Sequence, residues 1–177
     1  MAGRSVRIGR VAGVELSASL SALVGSLLLW AGAAAFARFV LGQSVAAALA
    51  AGVLVVALHW LSALVHQFSH AYAAWRVGYP MRGIRLWWVL STSLYPRDEP
   101  ALPPIVHVRR AMGGPTGSAI LTAVAGLLLL AFRGPAGALW WVLAFFFLDN
   151  LLVLTLGAFL PLGFTDGSTL LRQWRAR

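Results

Sequence analysis

The chain has 177 residues, of which 60% are hydrophobic and only 11% charged. A water-soluble domain of this length needs far more charge to cover its surface, so the composition excludes one and points to an integral membrane protein forming one domain. The net charge is +9, every one of the fourteen basic residues is arginine, and there is no cysteine and hence no disulfide; because the arginines flank apolar runs, the basic excess points to a lipid bilayer and not to nucleic acid.

The chain opens on a basic stretch, MAGRSVRIGR, which runs into VAGVELSASLSALVGSLLLWAG. That apolar run is span-length and lacks a small-residue cleavage site, so it reads as a membrane span and not as a signal peptide. Crossing a bilayer as a helix takes about 20 residues. Four stretches meet this requirement, and helices are predicted at about 17–37, 50–76, 111–132 and 137–160. The fold class expected is therefore all-α membrane protein with about four transmembrane helices. Between the second and third lies GYPMRGIRLWWVLSTSLYPRDEPALPP, whose five prolines exclude one continuous helix. Its centre, IRLWWVLSTSLY, is rich in aromatic and β-branched residues and is expected to form short strands, a β-hairpin loop at the membrane interface.

With four spans, twelve arginines fall on one side, Arg4, Arg76, Arg110 and Arg177 among them, and only Arg38 and Arg133 on the other. This asymmetry predicts a multi-pass protein with both termini cytoplasmic, in a bacterial or archaeal cell membrane.

The second span contains VHQFSH. His66 and His70, four apart, share one helix face at about 6 Å of rise. Neutral imidazoles at that spacing can hold one zinc ion, and a tetrahedral site then needs at least one further protein donor. The fourth span runs back to the same side and ends in FLPLGFTDG, which brings Asp166 to the depth of the histidine pair. His59 lies seven residues before His66, so all three histidines form one stripe. The stripe leaves two other readings open: a haem or metal-transport protein using His59, His66 and His70, or buried histidines with no such role. Asp149, the one acidic residue inside a span, sits at a depth from which it can hydrogen-bond His59, which makes the two candidates for an outer layer around the site. GGPTGS reads as a helix-packing surface of small residues.

Taken in order, these motifs resemble the site-2 proteases, intramembrane zinc metalloproteases of the HExxH type. SVRIGRVAGVELSAS is similar to the stretch before that family's first span, VHQFSHAYAAWRVGYP to its HExxH helix, PRDEP and RRAMGGPTGS to its acidic loop and the start of its next span, and FLPLGFTDG to its closing LPxxPLDG motif. The resemblance implies one zinc ion held by His66, His70 and Asp166, and hydrolysis of peptide bonds in transmembrane or juxtamembrane protein substrates. It also implies that residues 86–95 pair with an extended substrate strand. Gln67 stands at the general-base position where the family has glutamate. A glutamine amide cannot take up a proton, so the chain is expected to be inactive or strongly impaired as a protease. Alternatively it is a non-cleaving pseudoprotease that binds membrane-protein segments. Two origins fit the glutamine, an introduced glutamate-to-glutamine change or natural divergence. Ala158, Gly163, Phe164, Ser91 and Thr92 also depart from the family pattern.

Overall fold

The structure is a computed structural model that describes residues 5–132 and 137–175; the expectations placed on Arg4, Arg133 and Arg177 lie outside those residues. Its helices turn small residues inward and large apolar ones outward, the reverse of a water-soluble core. In α1 (Leu20–Phe39) the buried residues are Ala22, Gly25, Ala34 and Ala37, while Leu20, Leu23, Leu27 and Leu28 are exposed. Lipid is as apolar as leucine, so such helices associate through close backbone approach and buried polar contacts. Among the described residues, four helical segments are long and apolar enough to cross a membrane: α1, α2 (Val45–Arg76), α3 (Pro104–Ala131) and the run Ala138–Phe159.

Two helices start earlier than the apolar runs suggest, each for a local reason. Ser44 caps α2, its Oγ accepting from the Ala47 N–H at 3.3 Å, so the helix begins at Val45. Pro104 is the first residue of α3, where a fixed φ and a missing N–H cost nothing. His107, Arg109 and Arg110 are thereby placed on its first turns. The last crossing segment is α4 (Ala138–Leu148), which widens into a π-helix over Asp149–Leu156 and closes with a 3₁₀ turn over Gly157–Phe159. α5 (Asp166–Arg175) follows.

A four-stranded sheet, in the order β1 (Ser5–Val11), β2 (Val14–Ser19), β3 (Gly83–Trp87), β4 (Leu90–Leu94), covers one side of the bundle. β2 and β3 are parallel and the other pairs antiparallel. The first hairpin was not anticipated. Its strands merge in the sequence with the apolar run of α1, and only the Ala12–Gly13 turn, with φ of 48° and 83°, marks the reversal. The second hairpin lies in the loop between α2 and α3 and turns tightly at Trp88–Val89. Its tip is wedged among helices: a Cβ at Gly25 would run into the Trp88 backbone, the Trp88 N–H donates to Ser21 Oγ at 3.3 Å, and Trp88 itself has φ of 51°. β4, like β1, is an edge strand, paired with β3 on one side only.

Candidate metal centre

α2 supplies most of the site because it meets both the sheet and α3. His66 and His70 are buried on one face of it. Each ring is oriented through Nδ1 by α3. His70 Nδ1 lies 2.7 Å from the Arg110 carbonyl, and His66 Nδ1 lies 2.9 Å from Ser118 Oγ. A carbonyl only accepts, so the shorter contact favours a proton on His70 Nδ1 and a lone pair on Nε2; the Gly114 N–H lies 3.2 Å from the same Nδ1. The two Nε2 atoms are 3.1 Å apart. Asp166, the first residue of α5, brings Oδ2 to 3.5 Å from His66 Nε2 and 3.3 Å from His70 Nε2.

These are three electron-pair donors with too few protons to bridge them, an arrangement that a cation between them stabilises. Tetrahedral zinc with donors at about 2.0–2.1 Å keeps neighbouring donor atoms about 3.3 Å apart, close to the three separations above. Donor types, burial and spacing thus fit a metal ion such as zinc, and His66, His70 and Asp166 together could hold one.

The position of Asp166 depends on the turn before it. Gly163 takes φ of 90°, a left-handed conformation suited to glycine. Its N–H donates to Ser168 Oγ at 2.7 Å, and the Thr165 hydroxyl donates to the Leu160 carbonyl. Gly167 lies against the Phe159 carbonyl, leaving no room for a side chain. Gly163, which reads in the sequence as a departure, therefore shapes the turn that delivers the carboxylate.

Gln67 is buried on the same helix and turned towards β4. Its Nε2 donates to Ser91 Oγ at 3.1 Å and its Oε1 accepts from Ser93 Oγ at 2.7 Å. Both ends of the amide are engaged, so Gln67 bridges α2 to the edge strand. His59 forms a second bridge eight residues earlier. Its Nε2 lies 2.9 Å from the Val89 carbonyl and its Nδ1 3.1 Å from Asp149 Oδ2. Eight residues of helix rise about 12 Å, and the four residues from Val89 to Ser93 span about 13 Å as strand, so β4 runs alongside α2 in step with both bridges. Both His59 nitrogens thus have hydrogen-bond partners of their own.

Two donor–acceptor contacts at His59 require two protons shared among ring, carboxylate and carbonyl. His59→Leu strands Asp149 and the Val89 carbonyl together, and is expected to lower stability by about 3–5 kcal/mol. Asp149→Asn should cost clearly less, because its amide can donate to Nδ1 and leave Nε2–H on Val89. Denaturant unfolding in detergent measures the two; equal costs would show that charge, not hydrogen bonding, holds the hairpin. Asn150 forms the neighbouring bridge: its Nδ2 donates to Ser62 Oγ and to the Phe146 carbonyl, each at 2.8 Å. The doublet Asp149–Asn150 inside FFFLDNLLVL was its signal.

The donors face a cavity of about 840 Å³ lined by β4, Gln67, Ala158 and α5. Arg110 closes one wall. It pairs with Glu99 through two bonds of 2.7 and 3.1 Å and lies 3.6 Å above the Tyr95 ring centroid. Burial pushes the Tyr95 phenol above its ordinary value against the opposing pull of Arg110, so it remains an O–H donor. The same Arg110 contributes the carbonyl that orients His70, which ties the acidic loop to the metal centre. His107 also lines this cavity.

The chain is similar in fold to the site-2 protease from Methanocaldococcus jannaschii, with a TM-score of 0.68 at 16% identity over 98% of this chain and 72% of that one. No protein-family model and no curated protein matches the sequence. With four apolar helices and a small sheet, the chain is a multi-pass membrane protein that shares the fold of this neighbour.

Proposed function

We propose that this chain holds one zinc ion through His66, His70 and Asp166, and that its cavity receives an extended segment of a membrane protein, which it binds with little or no cleavage. The convergence of three donor atoms beside a glutamine, at the open edge of β4, supports this reading most. Bound there, zinc would supply a Lewis acid able to polarise a carbonyl and to make water more acidic.

The chain's own residues divide the remaining work. Ser118 and the Arg110 carbonyl keep both imidazoles turned with Nε2 inward. β4 offers unpaired backbone groups to a helix that has unwound, whose freed N–H and C=O groups need partners in an apolar setting. Gln67 can orient water or a carbonyl but takes up no proton, so the proton transfers that hydrolysis requires have no acceptor at this position. The arginine-rich ends place both termini in the cytoplasm under this proposal.

The test is cleavage of a model transmembrane substrate in liposomes by the chain and by Gln67→Glu, with and without chelator, beside metal analysis. A metal content that survives Asp166→Ala would overturn the three-donor site. Ser118→Ala should weaken zinc binding by about 10–100-fold through loss of ring orientation, measured by competition with a chromophoric chelator.

A further inference from the structure

Outside the cavity, on the flank of α2 turned away from His66 and His70, a groove of about 880 Å³ runs between α2 and α3. We propose that it binds one anionic phospholipid from the leaflet on the arginine-rich side, with an acyl tail along the groove and the phosphate at Arg109 and Arg76. The groove follows α2 from Leu61 to Ala73, about 18 Å of helix rise. One leaflet contributes about half of a 30 Å hydrocarbon core, so the groove has the length of one leaflet.

Its lining suits a hydrocarbon chain. Leu64, Phe68, Met112 and Ile120 form the walls. The hydroxyls present are turned back into their own helices, Ser69 Oγ donating to the Val65 carbonyl and Thr116 Oγ1 to the Met112 carbonyl, each at 2.8 Å. Away from the Tyr72 hydroxyl and Arg109 at its charged end, the groove is thus lined by apolar surface.

A second transmembrane helix fits less well. Gly113 and Gly117 have the spacing of a helix-pairing motif, but α2 already uses them. A Cβ on Gly113 would meet the Ser69 carbonyl at 2.6 Å and the Ala73 Cβ at 2.8 Å, and one on Gly117 would fall on the Ser69 side chain.

The headgroup end carries the charge. Arg109 borders the groove and is exposed. Arg76, also exposed, donates to the hydroxyl of Tyr72, another groove residue, at 3.1 Å. Neither arginine pairs with a carboxylate among the described residues. Two unpaired guanidinium groups at the rim of an apolar slot match a phosphate that carries a net negative charge. A lipid seated there would brace the packing of α2 on α3 directly behind the two imidazoles.

Native mass spectrometry of the full chain in detergent, with equal phosphatidylglycerol and phosphatidylcholine, tests this. One phosphatidylglycerol should be retained in preference to phosphatidylcholine. Arg109→Gln combined with Arg76→Gln, both at exposed positions that leave the fold intact, should reduce that preference about tenfold or more. Met112→Trp, which fills the slot, should release both lipids. Equal retention of the two lipids, indifferent to the arginine changes, overturns the proposal in favour of a non-selective lipid annulus. A dimer that Met112→Trp dissociates overturns it in favour of a partner helix.

Discussion

Gln67→Glu is expected to raise cleavage of a transmembrane substrate by about 10²–10⁴-fold, the range that a positioned proton acceptor contributes. The change is nearly isosteric, and the two groups that hold the amide can hold a carboxylate. Ser93 already donates to Oε1, and the Ser91 hydroxyl, which now accepts from Nε2, can rotate to donate. His66, His70 and Asp166 are untouched, so metal content should not change. Two hydroxyl donors also make the carboxylate a weaker base, which places the gain towards the lower end of the range. Ser93→Ala in the Gln67→Glu background should then raise the rate further, although it removes a link to β4. A rate that follows the chelator in every active variant would tie the activity to the metal. If Gln67→Glu binds zinc and substrate but stays silent, the positions around Ala158 and Gly163 also withhold the geometry of cleavage. Cleavage by the chain with Gln67 in place would overturn the non-cleaving reading.

The parts of this molecule that the sequence makes legible are those written in one-dimensional patterns. Length and apolarity mark four spans, and a spacing of four places His66 and His70 on one face. The return of the last span brings Asp166 to the same depth. What the sequence hides depends on pairings distant along the chain. The β1–β2 hairpin is hidden because its residues continue into the apolar run of α1. The pairing of Gln67 with Ser91 and Ser93 is hidden because strand register cannot be read from a loop with prolines on both sides. Ser91 reads as a departure from a motif until β4 is seen lying beside α2, where it completes the hydrogen bonding of a buried amide. Likewise the partner of Asn150 is hidden, because Ser62 lies 88 residues away on another helix. Arg110 reads as one more arginine of the positive side, yet it is buried, paired with Glu99, and its carbonyl aims His70.

Gly114→Ala is expected to abolish stoichiometric zinc binding, with an affinity loss beyond the 10–100-fold or so seen when an outer-layer partner is removed. A Cβ at Gly114 would fall on the Nε2 atoms of both His66 and His70, the atoms whose lone pairs the metal needs. Withdrawal of α3 offers no escape. Gly113 and Gly117, on either side, are closed against Ser69 and Ala73 of α2, so the helices are already in contact along this seam. The imidazoles would have to rotate instead, breaking the Nδ1 contacts to Ser118 and the Arg110 carbonyl. Overpacking of this kind costs about 1–3 kcal/mol, so the protein should still fold and the metal loss can be measured on folded protein. Gly32→Ala is the matching control. It lies in α1 with nothing within 4 Å of an added Cβ, and replacing a mid-helix glycine should stabilise by up to about 1 kcal/mol with zinc unaffected. Unchanged zinc affinity in Gly114→Ala would mean that the ion does not sit between these imidazoles, and the three-donor site would fall with it.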